Sequence, residues 1–276
     1  MKEYLKQHFV PQFYLKCFGE HLYCYDKLNG NRFRTTPKNI GHKRLFYDTK
    51  TSDGKIENFL KDLDDRFARA YSYVLEKRSI ENLPDDIKSN FFLFLSCQMN
   101  RTNILRNEIK YIFEKASQKL EIPKKLLSLT EDELKADHAS IMFEVLVPFA
   151  EILFNKTWII MENKTTKPLW TSDNPFILTN QMDLGLYGNL GLFSKGLEIH
   201  FPLNNTLKLF SFDPTTHKLR NKDNFLTYEN VKCSNTLQTQ SSSRFIYSKD
   251  DDFKLAKRLL KEYPQFKNPA PKVHVY

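Results

Sequence analysis

Between Ile56 and Val74 the apolar residues Ile56, Phe59, Leu60, Leu63, Phe67, Ala70, Tyr71 and Val74 recur at helical spacing, whereas beyond Asn155 short aromatic and β-branched runs alternate with polar turns. A chain whose period switches in this way segregates its helices from its strands, which predicts an α+β architecture. The expected order is a small N-terminal helix and hairpin, a helical middle, and an antiparallel β-rich C-terminal half with a closing helix. There is no Gly/Ser linker, internal repeat or low-complexity tract. One compact unit over 1–276 is therefore expected, with an α/β piece at 1–50, helices over 55–155, and strands plus a helix over 156–262.

Local signals fill in this outline. Pro11 can occupy the first helical position and Gly19 can stop that helix. Leu22 to Lys27 alternates, and Asn29-Gly30 turns the chain into a return strand at Arg32 to Thr35. A second long helix is predicted from Asp85 or Asp86 through Phe91, Phe94, Leu95, Leu105, Ile109 and Ile112. Further helices are expected at Lys124 to Leu127, at Glu131 to His138 and at Ile141 to Phe154, the last bent at Pro148. Thr157 to Met161 and Pro168 to Ser172 flank the polar turn Glu162 to Thr166. Leu197 to Phe201, Thr206 to Phe212 and Arg244 to Tyr247 read as strands, and Phe253 to Glu262 as the closing helix.

The composition narrows the function classes. The 23 Phe and 13 Tyr beside only 8 Gly supply buried area that a disordered chain lacks. The longest apolar runs fall short of the roughly 20 residues of a membrane span, and the N-terminus lacks the apolar core of a secretory signal. Cys17, Cys24, Cys97 and Cys233 are too scattered for a zinc motif and too few for a disulfide scaffold, so a reducing, cytoplasmic setting is expected. The charge of +9, from 42 Lys and Arg against 33 Asp and Glu, favours polyanionic partners such as RNA or DNA, although a merely solvated basic face has the same composition.

Candidate chemistry comes from distant segments. His8 opens Gln7-His8-Phe9-Val10-Pro11-Gln12-Phe13-Tyr14-Leu15, and Thr171-Ser172-Asp173-Asn174-Pro175 places four hydrogen-bonding side chains after a short strand. Gln98 points into the apolar stripe of its helix, with Arg101 at the stripe's edge. Asp26 shares a strand face with Leu22 and Cys24, and Lys27 shares the other with Tyr23 and Tyr25, so one charge must approach a semi-buried surface. Each has a plainer alternative: Gln98 can pin a helix to backbone, Asp26 can open the turn before Asn29-Gly30, and Asp173 can close an Asx-turn. Asn235, Gln238 and Gln240 before Arg244, and Pro202 after His200-Phe201, can extend the same site. His200 should share a strand face with Glu198. His21, His42, His138, His217 and His274 show no ligand-like spacing. There is no nucleophile elbow, phosphate-gripping glycine loop, HExxH spacing or dinucleotide fingerprint.

The order of His8-Phe9-Val10-Pro11-Gln12-Phe13-Tyr14-Leu15, Tyr25-Asp26-Lys27, Gln98-x-x-Arg101, Thr171-Ser172-Asp173-Asn174-Pro175, Phe201-Pro202-Leu203 and Ser243-Arg244-Phe245-Ile246-Tyr247 resembles the bacterial domain-of-unknown-function family 4238 over nearly the whole chain. The resemblance implies that His8, Gln98, Arg101, Asp173 and Asn174 belong to one constellation.

The leading expectation is a nucleic-acid-directed hydrolase acting on phosphodiesters. His8 would serve as general base or metal ligand, Asp173 as metal ligand or water orienter, and Arg101 and Lys27 would stabilise phosphate charge. Gln98 completes the catalytic set, and Gln12, Tyr14, Lys27, Ser172, Asn174 and Arg244 are the candidate substrate-binding residues. Asp26 and Asp173 are the candidate ligands of a divalent metal. The alternative is a non-catalytic module that binds nucleic acid or a nucleotide through the same groups, and a third reading makes the shared polar residues structural.

Overall fold

In the computed structural model, which describes residues 5–49, 54–119, 129–182, 190–216 and 224–269, the chain opens on a strand, β1 (Lys6–His8), and a short helix, α1 (Gln12–Lys16). Pro11 stands at the N-cap, with φ −62° and ψ 145°, instead of in the first turn. Its ring fixes φ for either position. The extended ψ follows from the neighbouring backbone, where the N–H groups of Phe9 and Val10 both donate to Gly41 O at 2.8 and 3.0 Å. Gly41 has φ +67°, and a Cβ there would meet Val10 at 3.0 Å, so this close approach needs glycine.

The hairpin forms as its turn predicts. β2 (Leu22–Asp26) pairs with β3 (Arg32–Thr35), and Gly30 takes φ +75°. β4 (His42–Arg44) pairs antiparallel with β1, which sets His42 directly across from His8.

Helix α2 (Lys55–Lys77) buries Leu60, Leu63, Phe67, Ala70, Tyr71 and Val74 of the stripe read from its spacing, whereas Ile56 is half-buried and Phe59 is exposed. Asp48 receives its N-terminus, accepting from Ile56 N at 3.3 Å and Glu57 N at 3.1 Å. The single long helix expected from Asp85 is two helices, α3 (Asp85–Asn100) and α4 (Asn103–Lys119). The break at Arg101-Thr102 is held by side chains that satisfy the carbonyls it frees: Tyr47 Oη donates to Arg101 O at 2.7 Å, and His138 Nε2 lies 2.9 Å from Asn100 O.

A Thr130/Glu133 capping box starts α5 (Glu131–Glu144), and α6 (Leu146–Phe154) follows. The interruption falls at Val145, ahead of Pro148, because that proline cannot donate to Glu144 O and its ring would crowd it. The helix expected at 124–127 lies outside the described residues.

The second half builds two sheets. β5 (Trp158–Asn163), β7 (Ile177–Asn180), β8 (Leu197–Pro202), β9 (Leu207–Ser211) and β10 (Phe225–Leu226) form one in the order β10-β5-β9-β8-β7, antiparallel except for the β10–β5 pair. β6 (Thr171–Ser172) and β11 (Phe245–Ser248) join the N-terminal hairpin in the order β3-β2-β11-β6. The polar turn at 162–166 therefore closes no hairpin. Asn163 folds the turn on itself, with its side chain bonded to Thr165 N and Lys167 O, and Trp170 N donates out of the sheet to Asn235 Oδ1 at 2.8 Å.

Helix α7 (Tyr228–Ser241) has no counterpart in the apolar pattern. Its buried face is Val231, Ser234, Asn235, Gln238, Thr239 and Ser241, so hydrophobic periodicity carries almost no trace of it, although a Thr227/Asn230 capping pair marks its start. α8 (Lys254–Glu262) is the closing helix and leads into a 3₁₀ turn, Pro264–Lys267. The α+β class and the helical middle are as expected.

An aromatic cluster joins α1, α2 and α3 to β8. Tyr14 lies 5.1 Å from Phe201 and Phe13 lies 5.2 Å from Phe94, ring centre to ring centre. Tyr14, assigned above to substrate, is buried here: its Oη donates to Pro202 O at 2.8 Å and lies 2.7 Å from Thr171 Oγ1. Tyr14→Phe keeps the ring but strands both partners, so urea unfolding should report a loss of about 1–3 kcal/mol. An unchanged midpoint would contradict this structural role.

Candidate functional site

The backbone of β1 is gripped from the α3–α4 joint. Gln98 Nε2 donates to Phe9 O at 3.2 Å, and Arg101 Nη2 donates to His8 O at 2.7 Å. Arg101 also makes a two-pronged pair with Asp64, at 2.7 and 3.3 Å. Burial works against the guanidinium charge, but Asp64 outweighs it and holds Arg101 well above its ordinary pKa. With only 1% of its side chain exposed, Arg101 is turned inward, which corrects its assignment to phosphate charge. Arg101 does meet His8, but at its main chain, and Gln98 meets the carbonyl of the next residue, Phe9.

The segment after β6 is stitched in the same way. Asp173 Oδ1 accepts from Ser243 N at 2.7 Å, and its Oδ2 accepts from Arg244 N at 2.8 Å and Phe245 N at 2.9 Å. Burial raises the Asp173 pKa while these N–H groups pull the other way. Ser172 Oγ donates to Gln238 Oε1 at 2.6 Å, and Gln238 Nε2 donates to Pro175 O at 3.1 Å. Asn174 accepts from Thr102 Oγ1 at 3.1 Å and donates to Ser241 O at 3.0 Å, linking this segment to the α3–α4 joint. Asn235 and Gln238 thus join the segment, as their sequence proximity to Arg244 suggested, whereas Gln240 is exposed.

Both charges at the end of β2 are buried. Lys27 Nζ donates to Thr239 O, Ser242 O and Phe266 O at 3.0, 2.6 and 2.7 Å, so it ties the C-terminus of α7 to the last 3₁₀ turn and keeps no hydrogen for a phosphate. Asp26 binds Arg244 through Nη2 at 2.6 Å and Nε at 3.1 Å, and also accepts from Leu28 N at 3.0 Å. Burial opposes the Asp26 charge, but Arg244 holds its pKa below the ordinary value. The assignment of Asp26 and Asp173 to a metal is corrected accordingly: their lone pairs are engaged by Arg244 and by backbone N–H groups. Among the described residues no three His, Cys, Asp or Glu side chains are grouped to hold a metal. Gln12 is the half-buried first residue of α1. His200 does share its strand face with Glu198, 3.3 Å away.

Open space lies beside these bonds. A cleft of about 320 Å³ has Leu28, Phe33, His42, Asp173 and Arg244 among its lining residues. It adjoins a groove of about 690 Å³ lined by Lys43, Arg44, Arg106, Lys110 and Lys135, with Glu114 and Glu131 as the acids. Lys43 and Asn103 border both, and Lys43 Nζ donates to Asn103 Oδ1 at 3.1 Å. Arg106 is fixed under the groove by hydrogen bonds to Phe46 O and, at 3.0 Å, to His138 Nδ1, with its guanidinium 3.9 Å from the Phe46 ring centre.

His42, not His8, lines the cleft; the two rings pack at 5.0 Å. Burial, His42 and Arg101 lower the His8 pKa to about 3, against a hydrogen bond to the Lys38 backbone. Its Nε2 has no partner, so Nδ1 makes that bond and the lone pair lies on Nε2. Burial and Lys6 lower the His42 pKa as well.

His42, Lys43, Asn103, Arg106 and Lys110 had no place among the sequence candidates. The signals were the run His42-Lys43-Arg44 and the four-residue step from Arg106 to Lys110, polar spacings that an apolar-stripe reading passes over.

His138 supplies a pH test. Burial and Arg106 lower its pKa from 6.5 to about 4. Its neutral form is favoured in the fold, so the unfolded chain takes up the extra proton: this stability is present above pH 6.5 and is lost as pH falls to about 4. Wild type should weaken over that window by up to about 1.4 kcal/mol per pH unit from this one residue. His138→Gln should fall less steeply in urea unfolding at stepped pH, and parallel slopes would refute the assignment.

Comparison with known families matches residues 6–252 to the family described as "Protein of unknown function (DUF4238)". No curated protein and no solved structure matches the chain.

Proposed function

We propose for this chain, which belongs to the DUF4238 family, that it binds nucleic acid in the basic groove as a recognition module. The observation that carries the reading is the groove itself, whose wall includes five cationic side chains against Glu114 and Glu131, with Lys110 3.9 Å from Glu114 and Lys135 3.6 Å from Asp132. On a chain of net charge +9, such a wall concentrates a polyanion by releasing its counterions and steering its approach. A cytoplasmic setting suits this partner and the four free thiols. No helix of the described residues is long and apolar enough to cross a membrane.

A hydrolytic reading retains one observation, the unpartnered His8 Nε2 and His42 Nδ1 on adjacent rings. A neutral imidazole can accept a proton, but one held near pH 3 is poorly matched to general-base work at neutrality. Divalent metal belongs to this second reading alone. Metal-dependent cleavage of RNA or DNA, lost in a folded His8→Ala protein, would make it the better account.

Fluorescence anisotropy with a labelled oligonucleotide tests the first reading. Wild type should bind with a steep salt dependence, and the double variant Lys43→Glu, Lys110→Glu should weaken binding by about 10-fold or more and lower the log–log salt slope by about one for each phosphate no longer neutralised. Wild-type protein that shows no salt-dependent binding overturns the proposal.

A further inference from the structure

We infer that the smaller cleft receives an unpaired base of a single-stranded nucleic acid whose phosphates run along the larger groove, an inference that rests on the binding proposed above. The two spaces differ in what they offer. The groove is cationic, whereas the cleft carries the Asp173 carboxylate on its wall and an Arg244 already neutralised by Asp26. A phosphate is therefore favoured in the groove and disfavoured in the cleft, which suits the uncharged part of the same ligand.

The cleft also has faces for a planar, hydrogen-bonding group. Phe33 and Leu28 are each 44% exposed at its rim, and Phe245 lines it beneath the Arg244 guanidinium, 4.8 Å from that ring centre. Asn39 and Asn268 supply side-chain amides, each both donor and acceptor, which is the pattern a base edge reads; Asn39 Nδ2 also donates to Thr36 Oγ1 at 3.2 Å, and the Asn103 amide is spanned by Lys43 Nζ and Ser243 Oγ. An aromatic plate with amides around it is a stacking site for one base. The shared border at Lys43 and Asn103 lets a nucleotide occupy both spaces, with its base in the cleft and its phosphate at the ammonium. A base inside a duplex would first have to leave its stack, an unfavourable step that an unpaired strand avoids.

The experiment compares anisotropy titrations of an unpaired oligonucleotide, as RNA and as DNA, with those of a blunt duplex of the same sequence. The proteins are wild type, Phe33→Ala and Phe33→Trp. Wild type should prefer the unpaired strand, Phe33→Ala should weaken that binding roughly 10-fold while leaving duplex affinity and the salt slope in place, and Phe33→Trp should restore it. Phe33 projects from an edge strand into solvent, and a thermal melt of each variant confirms that the fold is kept. Equal wild-type affinity for strand and duplex, or a Phe33→Ala protein that binds the strand like wild type, overturns the inference and leaves the groove reading standing. If wild type binds neither ligand, both fall.

Discussion

A buried guanidinium organises the N-terminal half of this protein. Arg101 stands at the end of α3, pairs with Asp64 on α2, and donates to the His8 carbonyl of β1, so one charge holds two helices and a strand in register. Taking it out of water is costly, and only the two-pronged carboxylate and the carbonyl offset that cost. Removing one partner would leave an uncompensated charge in the core, which typically costs about 3–5 kcal/mol. The helix stops here, and Tyr47 and His138 take up the carbonyls that the stop exposes.

The same device recurs in the second half, where buried polar side chains join elements beside apolar contacts such as Val231 with Leu169. The face of α7 toward the 168–175 segment carries Asn235 and Gln238 beside Val231, and the carboxylate of Asp173 gathers three consecutive N–H groups from 243–245. Satisfied buried polar groups specify geometry more narrowly than apolar ones, because each bond has a direction. The ordering sets the walls of the cleft, since Asp173, Ser243 and Arg244 belong both to this network and to the open space beside it.

Much of the fold was legible where burial is apolar and periodic. The stripe of α2 and the Asn29-Gly30 hairpin could be read directly from a buried face and a turn, and the strands expected at 197–201 and 206–212 from short runs of apolar residues, since nearly every residue in them is buried. Elements with polar buried faces were not legible. α7 is one, and the α3–α4 break is another, because the apolar stripe continues across it while the interruption depends on Tyr47 and His138, far away in the chain. The candidate site divides in the same way. Its buried polar residues stood out as anomalies, Gln98 and Lys27 among them, but an anomaly in sequence cannot say whether its partner is a ligand or a backbone carbonyl.

By itself the sequence determined the α+β class, the family resemblance, the basic balance and the identity of the residues that could not be idle. The tertiary structure alone decided what those residues do to one another: Arg101 meets Asp64, Lys27 meets three carbonyls, and Asp173 meets three N–H groups. It also brought Lys43, Arg106 and Lys110 around one groove and set His42 across from His8. Periodicity records which face of an element is buried, a local property of the chain. Hydrogen-bond partnership and cavity walls depend on contacts between residues tens to hundreds of positions apart, which leave no local trace.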